Sequence, residues 1–249
     1  MKMLFVYCLL PALLFAQPKK KPGYRGIVKF VFTNSINGNP VVLHDSSYTN
    51  TWNESYTLSK LKYYISNISV CYKKRAYKPR TNYYLINQAD SNSLSFTLSL
   101  PVNEYDSIRF LPGVDSLRNC SGAQTGALDP LNDMFWTWSS GYVMQKIEGN
   151  SPQSNFVNNK FEYHIGGYKE AESVLRFLTL AFPAGKTLHV NKGKTTIVKI
   201  EADLDLLWKS NIPLRISETA VCTSPGVLAK NIAANFAAVF SVADIINPD

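Results

Sequence analysis

The chain has 249 residues, 45% hydrophobic and 18% charged, with a formal net charge of +8. Such a chain can bury one large core, which excludes a disordered protein. Its cations are not interleaved with aromatic residues along one face, so a nucleic-acid surface is not expected.

The first seventeen residues read MKMLFVYCLLPALLFAQ. Lys2 precedes an apolar run from Met3 to Ala16 that is short for a bilayer-crossing helix and shaped like a secretory leader cut after Ala16. Residues 1–16 are read as a signal peptide, 17–25 as a basic linker and 26–249 as one β domain, periplasmic or secreted. Bulky Tyr7 before Cys8 does not suit a lipoprotein signal, and no other segment could span a membrane. Cys71, Cys120 and Cys222 then remain, enough for at most one disulfide and one free thiol. Without a C-x-x-C, neither a thiolate zinc site nor a redox pair is expected.

Strand signals follow in series. GIVKFVFTN (26–34) is β-branched and aromatic, with Ile27, Phe30 and Phe32 as its loosely alternating apolar set, and NGNP after it reads as a turn. LKYYISNISVCY (61–72) is a long strand leading into CYKKRAYKPR (71–80), a basic hairpin tip. SLSFTLSL (93–100) alternates cleanly, with Leu94, Phe96, Leu98 and Leu100 on one side. Further strands are expected over 105–114, 142–149, 160–167, 174–182 and 195–203. GVDSLRNCSGAQTGALDP, before the second of these, lacks the ending of a phosphate-binding loop and reads as a long ordered loop. DLDLLW (203–208) reads as one helical turn. SPGVLAKNIAANFAAVFSV (224–242) has Ser224 to cap, Pro225 at the first position, and Leu228, Ile232 and Phe236 on one face. The pattern predicts an all-β fold, a β-sandwich or jelly-roll-like domain, with a C-terminal amphipathic helix over one end or face.

No nucleophile elbow, P-loop or dinucleotide fingerprint is present, so a non-catalytic protein is expected. The three histidines are His44, His164 and His189. In FEYHIGG, His164 and Glu162 share the face opposite Phe161, Tyr163 and Ile165, and the following Gly166-Gly167 leaves room for a ligand. Trp136 and Trp138, two apart, project to one side of an extended segment. That pair suits core packing or a loop clamped over the domain as well as it suits a binding face.

KLKYYISNISV, GVDSLRNCSGAQTGALDPLNDMFWTWSSGY and FEYHIGGY, in that order, with NIAANFAAVFSV near the end, resemble the MbnP-like family of methanobactin-associated periplasmic copper proteins, in the form met in Bacteroidota. The likeness spans roughly residues 25–245. It implies an exported β-sandwich linked to copper. It further implies oxidation of a tryptophan to kynurenine by a partner dihaem protein related to cytochrome c peroxidases. Carried onto this chain, Trp138 or Trp136 is the oxidised residue, His164 the matching ligand and His44 a second ligand, with Glu162 set to fix the imidazole tautomer. A Trp-x-Trp pair stands here where a Trp-x-His pair would put both ligands on one strand face. The alternative is an envelope interaction module that binds no metal and docks a haem-protein partner through the tryptophans and the ordered loop.

Overall fold

The computed structural model describes residues 23–248 except 74, 81, 123, 138 and 139. The leader, most of the linker and Trp138 lie outside the described residues. The principal strands, in chain order, are β1 (Arg25–Ile36), β2 (Ser55–Tyr72), β3 (Tyr83–Asn87), β4 (Ser95–Pro101) and β5 (Ser107–Leu111). They continue with β6 (Gly141–Asn150), β7 (Lys160–Gly166), β8 (Leu178–Ala181), β9 (Thr195–Asp203) and β10 (Phe240–Ile246). Two helices are α1 (Ser116–Asn119) and α2 (Val227–Ala237).

Two sheets form the expected sandwich. In the first, β1 lies between parallel β9 and antiparallel β4, and β10 closes the outer edge of β9. The second runs β8–β5–β2–β6–β7 and ends on the short strand Val221–Cys222. The 18-residue β2 is its spine: β6 and β5 share one edge, while β3 and the short strands Ser47–Thr49 and Arg75–Tyr77 take the other.

The two-residue period decides what lies between the sheets. Val28, Phe30 and Phe32 of β1 point inward, so Ile27, grouped with the phenylalanines in the sequence reading, faces outward. Tyr63 of β2 meets Phe236 of α2 at 5.4 Å and Phe240 of β10 at 5.6 Å, ring to ring. Nearby, Trp208 packs edge-on against Tyr56, Phe161 and Tyr163. Its indole N–H reaches Tyr56 Oη at 3.2 Å, so the polar tip is satisfied in the core.

Several boundaries differ from the sequence reading. The NGNP turn forms with Asn37 and Gly38 at φ 52° and 72°, joining Ile36 to Asn39 in a tight hairpin. β4 starts only at Ser95, because Asp90 caps a 3-10 turn over Ser91–Leu94. Of 174–182, only Leu178–Ala181 pairs with a neighbour. The helix expected over 224–242 is shorter. Gly226, at φ 146°, precedes it without a side-chain cap, and the chain leaves it after Ala237. Val239, Phe240, Val242 and Ile245 instead bury their side chains around a strand that ladders with β9, and that pairing outweighs helix propensity. The one-turn helix near Trp208 is present over Leu204–Trp208, capped by Asp203. Cys71, Cys120 and Cys222 are all free thiols, and burial raises the pKa of Cys222.

The other face of the second sheet is not left bare. Residues 113–137 fold back across it, the order in this loop coming from α1 and two 3-10 turns, Gly126–Leu128 and Pro130–Asn132. Leu128 and Met134 of this segment are buried, and Tyr142 Oη donates to the Leu128 carbonyl at 2.7 Å.

Candidate functional site

On this outer face the strands present a run of charge. β2 contributes Lys60 and Lys62, β6 Lys146 and Glu148, and β7 Glu162 and His164. The same alternation that sends Leu61, Tyr63, Ile147 and Tyr163 into the core sends these residues outward.

His164 lies directly across from Lys146, and its Nε2 is 2.8 Å from Glu148 Oε1. Glu148 Oε2 is 3.2 Å from Lys60 Nζ, and Lys60 is 3.2 Å from Asp133 Oδ2. Lys146 Nζ approaches that same Asp133 oxygen at 2.9 Å, and Lys62 donates to the Asn132 carbonyl at 3.0 Å. Three lysines thus grip the Asn132–Asp133 corner, and a continuous polar chain runs from that corner to the imidazole. Only 18% of the His164 side chain and 19% of Glu148 is exposed, so the pair is shielded yet reachable.

The electrostatics follow from this packing. The hydrogen bond with His164 holds Glu148 below its ordinary pKa against the upward push of burial, with Lys60 assisting. Burial alone would raise Asp133, but the hydrogen bonds from Lys146 and Lys60 prevail and lower it. Burial lowers Lys62, and repulsion from Lys60 and Lys146 adds to the effect.

The carboxylate that orients His164 is therefore Glu148 on the neighbouring strand, not Glu162 on its own. A residue two places along a strand points parallel to the imidazole, whereas the diagonal cross-strand neighbour can lean over it. When the proton sits on Nε2 and donates to Glu148, Nδ1 is left as a neutral donor, a common arrangement behind metal-binding imidazoles.

Trp136 comes to the same strand. Asp133, at φ 61°, turns the chain into the short strand Phe135–Thr137, which pairs with the start of β6. Phe135 packs on Tyr142 at 4.9 Å, and the Trp136 indole crosses to β7. A Cβ at Gly166 would lie 2.6 Å from Trp136 Cζ3 and 2.9 Å from Cη2, so the benzo edge rests on that glycine. Gly166 is two residues from His164, on the same face. Trp138 lies outside the described residues.

His44 does not join them. It is exposed, at φ 70°, and its N–H donates to the Leu58 carbonyl at 2.7 Å on the edge of β2 away from β6. At a strand spacing of about 4.8 Å, β2 and β6 both separate it from β7. His189 sits elsewhere, with Nδ1 3.3 Å from Glu104. Among the described residues, no three His, Cys, Asp or Glu side chains converge as a metal-binding group. No described helix is long and apolar enough to cross a membrane.

Glu148, Lys60, Lys146 and Asp133 were not singled out in the sequence. Their signal was present as lysine and glutamate at alternate positions in KLK and QKIEG, opposite the apolar set. What was missing was the register that sets one strand against another.

A family model described as MbnP matches residues 25–224. The matched span includes β7 and Trp136 and stops short of α2 and β10. Among solved structures, the fold is similar to that of MbnP from Methylosinus trichosporium, with TM-score 0.55 and 14% identity over 80% of this chain and 83% of that one. A search of the curated proteins finds no match.

Proposed function

This chain belongs to the MbnP family, and from that premise we propose an exported, non-catalytic copper-binding protein whose site joins His164 to a ligand made from Trp136 or Trp138. The observation that carries the reading is the indole of Trp136 resting on Gly166, two residues from His164 on one strand face.

As encoded, the described residues offer His164 and Glu148 at this place, which is an incomplete copper site. With Glu148 bound to the imidazole, His164 is the donor they supply, and the place fits the metal once further donors are added. Indole is a poor donor. Cleavage of its C2–C3 bond with uptake of two oxygen atoms, then hydrolytic loss of C2 as formate, leaves an aryl amine and a ketone, which can ligate. The oxidising equivalents are assigned to a partner dihaem cytochrome c peroxidase-like protein. Imidazole suits copper in both common oxidation states. In this arrangement His164 is the ligand and Glu148 sets its tautomer, with Lys60 at the carboxylate's second oxygen.

A docking module for a haem-protein partner is the second reading. Leu131 favours it, being 92% exposed on a corner that three lysines hold in place. Copper competition titration separates the two. The copper reading predicts that His164→Ala weakens binding at least about tenfold, while His44→Ala leaves it unchanged. Equal, negligible binding by the parent protein and His164→Ala would remove the metal function and leave docking.

A further inference from the structure

The molecule has a second concentration of charge, at the far end of β2 from His164. From Lys62 to Tyr72 that strand runs roughly 30 Å at its usual rise per residue. The hairpin beyond Tyr72 carries exposed Lys73, Arg75 and Lys78. The start of β1 is tied to it, since Arg25 donates to Tyr77 Oη at 3.1 Å and lies over that ring at 5.7 Å. The turn before β9 completes the group. Lys194 offers its carbonyl to the Ile27 N–H at 3.0 Å, and Lys192 Nζ sits 4.3 Å from the centre of the Tyr24 ring. Three separate parts of the chain thus bring six cations to one end.

Two carboxylates stand among the six cations and leave this end net positive. Glu104 faces His189, and Asp106 accepts from the Lys73 N–H at 3.0 Å. Amid the cations stands an exposed apolar pair: Tyr24, 67% exposed, and Val102, 42% exposed, joined by the Val102 N–H to the Tyr24 carbonyl at 2.9 Å. In the sequence, Lys19, Lys20 and Lys21 come just before this end.

We propose that this end is a docking surface for an anionic lipid bilayer. Cations on long side chains from several turns match a sheet of phosphate headgroups, and the Tyr24–Val102 pair suits the shallow interface beneath them. Bound this way, the protein turns the His164 face away from the lipid. The inference stands apart from the copper reading and uses none of its residues.

Vesicle co-sedimentation of the protein starting at Gln17 tests it. Phosphatidylcholine vesicles are compared with phosphatidylcholine–phosphatidylglycerol vesicles, at low and high salt. The protein is expected to sediment only with the anionic vesicles and to be released by salt. R75E/K78E/K192E lowers that affinity by about tenfold or more. K160E/K169E/K209E makes the same charge change on exposed lysines elsewhere and leaves it within about twofold. Circular dichroism confirms that both variants are folded. Failure to bind anionic vesicles overturns the proposal, as does an equal loss in both variants. Retention by immobilised polyglutamate without vesicle binding also overturns it, in favour of an acidic protein partner. None of these failures touches the copper titration.

Discussion

The two faces of the β2–β6–β7 sheet are built from the same strands and carry opposite chemistry. Inward, Tyr56, Tyr63, Phe161 and Tyr163 meet Trp208, Phe236 and Phe240 in edge-to-face contacts. Outward, one residue away on each strand, stand Lys60, Lys62, Lys146, Glu148 and His164, covered in part by residues 113–137. The inward face is sealed by apolar area and tolerates little change. The outward face is held by charge-assisted hydrogen bonds that water and salt can reach. The core therefore rests on one face, and the proposed site rests on the other.

The comparison breaks first if the inward face proves soft. Trp208→Ala removes a fully buried indole and its bond to Tyr56, and should cost about 3–5 kcal/mol in a denaturant titration. A loss under about 1 kcal/mol would mean that the core lies elsewhere.

Glu54 is a buried charged residue on the core side, 4% exposed and held by Asn50, the Ile216 N–H and both the amide and hydroxyl of Ser217. Glu54→Ala leaves those donors unpaired and should cost about 2–4 kcal/mol. Burial pushes its pKa up, but these hydrogen bonds win and lower it. A folded pKa below the unfolded value favours the native state above the unfolded pKa and loses that benefit as pH falls through the folded one. Asp115, Asp133 and Glu148 are lowered as well, so stability should drop as pH falls below about 4.5. A urea midpoint unchanged between neutral pH and about pH 3 would contradict this.

Gly166→Ala tests how the Trp136 indole packs on the outward face. Its Cβ would meet Trp136 and, at 2.8 Å, the Tyr142 carbonyl, which is backbone and cannot swing away. We expect a loss of about 1–3 kcal/mol and a red shift in tryptophan emission as the indole is lifted into water. An unshifted spectrum would place the indole elsewhere.

The smallest effect is expected at the lysine clamp. Asp133 is 58% exposed, so Asp133→Asn should cost no more than about 1 kcal/mol, and less in high salt. A larger, salt-independent loss would show that the outward face is as structural as the inward one.

Much of the architecture was legible because burial writes a period into the sequence. Leu98 and Leu100 point inward as their alternation predicts, and the NGNP turn and 71–80 hairpin form. The end of α2 was not legible, since NFAAVFSV satisfies a helical period locally and only the edge of β9, far upstream, makes a strand of its second half. His164 and Trp136 were legible as candidates. Their neighbours were not, because the register of β6 on β7 shifts at a bulge between Val143 and Gln145. Beyond that bulge the two strands run in even register, with Lys146 across from His164, and this pairing, unreadable in one strand alone, sets Glu148 rather than Glu162 against the imidazole.

The central claim is that an indole and the His164 imidazole build one copper site on the outward face. Its most direct test is mass spectrometry of protein isolated from its native cells, with copper measured on the same sample. The account predicts copper in the protein and a gain of about 4 Da on the peptide carrying Trp136 and Trp138. Unmodified tryptophans in a protein free of copper would contradict it.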